Sequence, residues 1–169
     1  LALVRPTAIR TLSRDMRRHG MILGLLLGAG YIFQTFGLLY TSATVSGFIT
    51  GMFVVFTPLI TWAFLRQPIA PAVWLGVALA TVGLALISLN GFSIGFGELL
   101  TLGCAAMFAS HIVGLGQWST ASDAYGMTVL QLGVVALMCL VTSPLQGGLT
   151  LPPNSGVWAA IVFLALVAT

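Results

Sequence analysis

Residues 20–65 read GMILGLLLGAGYIFQTFGLLYTSATVSGFITGMFVVFTPLITWAFL and contain no charged side chain. The stretch is too long for one buried helix and fits two membrane spans, because each crossing needs about 20 apolar residues. Arg66 follows the stretch, and the other arginines of the chain precede it, at positions 5, 10, 14, 17 and 18. Two crossings would return both arginine groups to one side of the membrane, which the positive-inside rule identifies as the cytoplasm.

The composition of the whole chain indicates the same class of protein. Of its 169 residues, 59% are hydrophobic and only 5% are charged, and the mean hydropathy is +1.09. Soluble domains carry about 25% charged residues, so this chain lacks the polar surface that a water-soluble core requires. The sequence pI is about 9.4, but the basic residues cluster beside an apolar span, which favours anionic lipid over nucleic acid. We therefore expect the lipid bilayer as a partner, and no nucleic acid.

Apolar runs and helix breakers divide the chain into predicted spans joined by short loops. We predict an all-α membrane protein, a polytopic helical bundle in the cell (inner or plasma) membrane, with the arginine-rich N-terminal segment and Arg66 in the cytoplasm. Leu1 is not a methionine and the last apolar run is short, so we expect an internal piece of a longer chain. Thr44 is a candidate N-cap. The predicted spans are about Gly20–Tyr40, Thr44–Leu65, Pro71–Leu89, Gly97–Gln117 and Gly126–Ser143, and a partial span begins near Val157.

Pro58 is the most informative feature inside a span. Proline has no N–H, so the carbonyl of Val54 loses its helical donor, and such a kink can open a cavity beside the freed carbonyl. Thr50 and Thr57 lie on the same face of the second span as Pro58. A simple packing kink, in which Thr57 or a neighbouring helix satisfies the carbonyl, remains an alternative.

Two glutamines and a histidine are further polar side chains well inside the spans. Polar side chains in a membrane face inward, where they bond other helices or contact a substrate. Both interpretations stay open for Gln34 and Gln131, and His111 is either a proton relay or a structural histidine. The candidate substrate-binding residues are therefore Gln34, Thr50, Thr57, Pro58, His111 and Gln131.

The sequence favours no enzyme. Gly91–Gly95 reads GFSIG and matches the G-x-S-x-G elbow, but it joins two membrane spans instead of a strand and a helix. His111 lies deeper in the next span, on the order of 20 Å away at 1.5 Å per residue. Cys104 and Cys139 lie in apolar segments and suit small buried hydrophobes. We expect no catalytic residues, no metal site and no cofactor.

Several short stretches carry a resemblance to a known family. FGLLYTSAT at 36–44, GFI at 47–49 and FTPL at 56–59 look like the third and fourth helices of EamA-type carriers of the drug/metabolite transporter superfamily. LG at 75–76 with GLAL at 83–86 is similar to that family's fifth helix. GELLTL at 97–102 with AAMFA at 105–109 is similar to its sixth helix, and FLALVAT at 163–169 resembles the start of its eighth.

The resemblance implies a ten-helix fold of two inverted five-helix repeats. Residues 1–89 would form the C-terminal part of the first repeat, and residues 90–169 the N-terminal part of the second. The family often has an acidic residue just after its fourth helix, where this chain has Arg66 and Gln67.

The function implied by the resemblance is that of a multi-pass transporter. It would be a secondary carrier for a small organic metabolite or drug, working by alternating access, with the substrate near the midplane between the repeats. The alternative is a non-transporting membrane scaffold or assembly subunit, which predicts tightly packed inward faces without a cavity. We expect a small-molecule substrate as partner, and a homodimer stays open.

Overall fold

The computed structural model describes residues 12–88, 95–146, 148 and 154–167, and every regular element within these ranges is helical. Four spans are long and apolar enough to cross a membrane, which confirms the predicted class. They are Arg14–Gly37, Ala43–Leu65, Phe96–Trp118 and Ala124–Leu145; a shorter apolar segment covers Pro71–Gly83. The helices are α1 (Arg14–Gly37), α2 (Ala43–Gly51), α3 (Phe53–Leu65), α4 (Pro71–Ser88), α5 (Phe96–Trp118), α6 (Ala124–Thr142) and α7 (Ser155–Val167), with a 3₁₀ turn at Ser143–Gln146.

The first helix begins at Arg14, earlier than the Gly20 that hydropathy predicts. The side chain of Ser13 caps it by accepting a hydrogen bond from the backbone N–H of Met16 at 3.2 Å. Asp15 lies in the first turn, where a carboxylate favours the helix dipole. The helix therefore extends past its apolar part, and its first turns carry arginines that suit the lipid headgroup region.

The second predicted span consists of two helices, α2 and α3, which meet at Met52. The backbone N–H of Met52 donates to the carbonyl of Ile49 at 3.0 Å, which tightens the chain locally. Glycine is a poor helix former, and Gly51 immediately precedes this junction. The N-cap of α2 is Ser42, whose hydroxyl accepts from the N–H of Val45 at 3.3 Å, so the prediction of Thr44 as N-cap is wrong.

Helix α1 packs against both α5 and α6 through its glycines. Gly37 meets Gly97 near the start of α5, and Leu23 meets Gly114 near its end, so α1 and α5 are antiparallel. On another face, a Cβ at Gly24 would lie 2.8 Å from the Val134 side chain. Small residues let transmembrane helices approach this closely.

Helices α2 and α3 pack on α5, and α4 lies against α2 and α3. A buried cluster at the α2–α3 junction contains Met52, Val55 and Ala105. The start of α3 packs on Ala105 of α5 and its later residues share a groove with Ile112, so the two helices run in the same direction. Arg66 therefore lies at the end of the bundle where α1 begins.

The chain forms two compact units that divide between Cys139 and Leu140. The first unit contains α1 to α5, most of α6 and all six candidate substrate-binding residues. The second contains the last residues of α6, the 3₁₀ turn and α7.

Candidate functional site

A groove of about 490 Å³ follows α3 around Pro58. Pockets that bind small organic molecules span about 300–1,000 Å³, so the volume suits such a ligand. The groove includes two of the predicted substrate contacts, Thr57 and Pro58. The lining residues are Phe53, Val54, Thr57, Pro58 and Thr61 of α3, Pro68, Ile69 and Ala70 of the following loop, Val73 of α4 and Ile112 of α5.

The polar side chains of this groove come from α3. Pro58 cannot donate to the carbonyl of Val54, and both residues line the groove. The Thr57 hydroxyl does not replace that donor, because it donates to the carbonyl of Phe53 at 2.7 Å. The Thr61 hydroxyl donates in the same way to the carbonyl of Thr57 at 2.8 Å.

Gln34 and Thr50 form a hydrogen bond between α1 and α2. The amide nitrogen of Gln34 donates to the Thr50 hydroxyl at 3.0 Å, and the thiol of Cys104 on α5 neighbours the same hydroxyl. Ser46 lies one turn earlier on α2 and is buried, and its hydroxyl has no hydrogen-bond partner among the described residues. These residues form a polar cluster among three helices. Sequence reasoning omitted Ser46, although its i, i+4 spacing to Thr50 was a usable signal.

His111 and Gln131 form a second polar pair, between α5 and α6. A ring nitrogen of His111, Nε2, lies 3.0 Å from the Oε1 atom of Gln131, and both side chains are buried. If the ring nitrogen carries the proton, it donates to Gln131. The amide nitrogen of Gln131 is then buried without an acceptor within the described part of the chain.

The end of the bundle opposite Arg66 is held by contacts between the α1–α2 turn and the start of α5. The Thr41 hydroxyl donates to Glu98 at 2.5 Å, and the rings of Tyr40 and Phe96 meet edge to face at 5.3 Å. Glu98 lies in the first turn of α5, where the helix dipole favours a carboxylate.

The six candidate residues therefore fall into three pairs. Gln34 and Thr50 join α1 to α2, Thr57 and Pro58 line the groove, and His111 and Gln131 join α5 to α6. Of the rejected GFSIG motif, residues 91–94 lie outside the described residues.

Comparison with known proteins assigns the chain to a family. The EamA-like transporter family matches residues 1–89, which is more than half of the chain. An uncharacterized transporter of Archaeoglobus fulgidus is 38% identical over 107 residues, covering 63% of this chain and 34% of that protein. An uncharacterized protein of Schizosaccharomyces pombe is 30% identical over 78 residues, covering 46% of this chain and 24% of its own.

The chain thus spans about a third or less of the length of these curated relatives. No solved structure matches it. The family match agrees with the four spans described above, each of which is long and apolar enough to cross a bilayer. The chain is a multi-pass membrane protein, and it belongs to the EamA-like transporter family.

Proposed function

We propose that the protein is a secondary carrier that moves a small organic metabolite or drug across the cell membrane by alternating access. The observation that carries this proposal is the groove of about 490 Å³ at Pro58, which contains Thr57 and Pro58. A ligand-sized space beside a proline-interrupted membrane helix is the arrangement that carriers use to bind substrates.

The position of the groove suits the state of an alternating-access carrier in which the cytoplasmic end is open and the outer end is closed. The groove lies toward the Arg66 end, where the loop residues Pro68 to Ala70 form part of its wall. We assign this end, with the N-terminal arginines, to the cytoplasm. At the opposite end, the Thr41–Glu98 hydrogen bond and the close approach of Gly37 to Gly97 hold the helices together. Opening to the outside would then require these contacts to separate.

The proposed architecture of the complete carrier is the ten-helix arrangement of two inverted repeats. Residues 1–89 would belong to the first repeat, and residues 90–169 to the second. In that arrangement Gln34, Thr50, His111 and Gln131 would approach the substrate from helices other than α3.

The alternative, a non-transporting scaffold, has one observation in its favour. Gln34 bonds Thr50 on α2, and Gln131 bonds His111 on α5, which are the helix–helix hydrogen bonds expected of a scaffold. A scaffold does not account for a ligand-sized groove at Pro58. Transport measurements therefore separate the two functions.

The test is flux of metabolites and drugs into proteoliposomes that contain the full-length protein. Thr57→Ala and Gln34→Ala should reduce the flux, while Thr81→Ala, an exposed threonine of α4, should leave it unchanged. If no compound moves, the carrier proposal fails. If a compound moves equally well through all three variants, transport stands but Thr57 and Gln34 are not substrate contacts.

A further inference from the structure

The hydrogen-bond acceptors of the Pro58 groove indicate which hydrogen-bonding groups its ligand must carry. Thr57 and Thr61 are the only residues with polar side chains among those that the structure describes as lining it. Each hydroxyl has one proton and two lone pairs. Both protons are already donated to main-chain carbonyls, those of Phe53 and Thr57, at 2.7 and 2.8 Å. The hydroxyls therefore face a ligand as acceptors.

The main chain at Pro58 supplies a further hydrogen-bond acceptor. The proline leaves the carbonyl of Val54 without its helical donor, and Val54 lines the groove. The two prolines of the lining, Pro58 and Pro68, contribute no N–H. Along α3 the groove thus combines apolar walls with acceptor atoms, and no described lining side chain supplies a donor or a positive charge.

We propose that the groove takes a small amphiphile with an apolar body and a head group that donates hydrogen bonds and carries no negative charge. Alcohols, amides and amines on an aromatic or aliphatic body belong to this class. A carboxylate does not, because it would bring a negative charge into the apolar part of the membrane and more lone pairs to a site of acceptors. This inference rests on the proposed function, since it names the substrate class of the same site.

Three probes of nearly equal shape test the inference: hydrocinnamyl alcohol, its methyl ether and hydrocinnamate. The alcohol donates one hydrogen bond, the ether donates none, and hydrocinnamate is negatively charged. Binding is measured on the full-length protein in detergent through tryptophan fluorescence. Trp62 and Trp74 form an edge-to-face pair with ring centroids 6.5 Å apart, and each directly neighbours a lining residue, Thr61 and Val73.

The expected result is that the alcohol binds several-fold to about tenfold more tightly than the ether, the usual strength of one neutral hydrogen bond. Hydrocinnamate should bind at least about tenfold more weakly than the alcohol, because an unpaired charge is costly in an apolar membrane or micelle interior. The double variant Thr57→Val/Thr61→Val keeps the shape of the groove and removes both hydroxyl acceptors. It should lose most of the preference for the alcohol while it retains affinity for the ether, which also reports that the variant is folded.

Thr81→Val is the matched control. Its hydroxyl also donates to a carbonyl one turn earlier, that of Val77, at 2.7 Å, but it lies on an exposed face of α4 outside the groove. This variant should bind all three probes as the parent protein does. Partitioning of each probe into detergent is the same for every variant and cancels when variants are compared. For the comparison of probes on the parent protein, affinities are expressed as free probe concentrations, corrected with the partitioning measured in detergent without protein.

Equal binding of alcohol and ether to the parent protein would overturn the inference and indicate a site for purely apolar ligands such as lipid acyl chains. Tighter binding of hydrocinnamate, or loss of the alcohol preference in Thr81→Val, would overturn it as well. The flux assay separates this from the proposed function. Thr57-dependent flux without an alcohol preference refutes the substrate class alone, whereas an alcohol preference without flux of any compound refutes only the carrier.

Discussion

The buried amide of Gln131 has only part of its hydrogen-bonding capacity satisfied by the described residues. Its Oε1 atom pairs with His111 at 3.0 Å, but its nitrogen is buried without an acceptor among the described residues. Replacing one partner of such a bond leaves the other unsatisfied, whereas replacing both can be nearly neutral. The bond therefore has a measurable coupling energy.

A double-mutant cycle measures that coupling. Gln131→Met and His111→Leu should each reduce the free energy of unfolding in detergent by about 1–3 kcal/mol, because each leaves a buried polar partner. The double variant should lose less than the sum, with a coupling of about 0.5–1.5 kcal/mol. Thr128→Val, at an exposed position of α6, is the control and should change stability little. Strict additivity would show that the two side chains do not interact.

Ser46 and Thr50, one turn apart on α2, should respond in opposite directions to loss of their hydroxyls. The Ser46 hydroxyl is buried with no described partner, so Ser46→Ala should raise the free energy of unfolding by up to about 1 kcal/mol. Thr50→Val removes the acceptor of Gln34 and should lower it by about 1 kcal/mol. Chemical denaturation of the two variants in detergent checks both. A loss of stability in Ser46→Ala would mean that its hydroxyl has a partner in the membrane-embedded protein.

At the level of helices, the sequence predicted α4, α5 and α6 to within a few residues because their apolar runs end at prolines, glycines or polar turns. The predicted α1 is too short. Arg14, Arg17 and Arg18 look like residues that flank a membrane span, but the capped helix includes them. The sequence did not predict the break at Met52. Glycine is common within transmembrane helices, so Gly51 alone does not mark a break.

The candidate site was predictable only in part, because the sequence indicates the faces of single helices but not how the helices pack together. A helical pattern tells which side chains share a face, so Thr57 and Pro58 could be placed together on α3. It does not tell how one helix is rotated against the next. The partners of Gln34 and Gln131, and the separation of the six residues into three pairs, depend on that rotation.

Alanine substitutions of two glycines on neighbouring helices separate the effect of close helix packing on stability from the effect of helix propensity. A Cβ at Gly24 of α1 would lie 2.8 Å from Val134 and 3.1 Å from the backbone of Gln131, so α6 would have to move. Gly24→Ala should therefore cost about 1–3 kcal/mol of unfolding free energy. Gly133→Ala meets no atom within 4 Å and should be neutral or stabilising by up to about 1 kcal/mol. Equal effects of the two substitutions would contradict the α1–α6 contact.

For the whole molecule, the proposed orientation predicts which side of the membrane each loop faces. In a variant whose Cys104 and Cys139 are replaced by alanine, single cysteines are introduced as Leu39→Cys or Gln67→Cys, both at exposed positions. A membrane-impermeant maleimide should label Gln67→Cys only in inside-out vesicles and Leu39→Cys only in right-side-out vesicles. Labelling of both from the same side would refute two crossings between the arginine groups, and the reverse pattern would refute the cytoplasmic assignment.

Arg66 affects both the local backbone at the end of α3 and the charge distribution along the whole chain. It ends α3 with φ 53° and ψ 26°, the left-handed conformation that glycine adopts at helix ends with little strain and that a side chain with a Cβ disfavours. It is also the only arginine or lysine after Arg18. Glycine at this position would relax the backbone but leave the α3–α4 loop without its positive charge. Under the proposed orientation, Arg66→Gly would relax the end of α3 and also remove the charge that orients the neighbouring spans, so helix stability and membrane topology make opposite demands on this position.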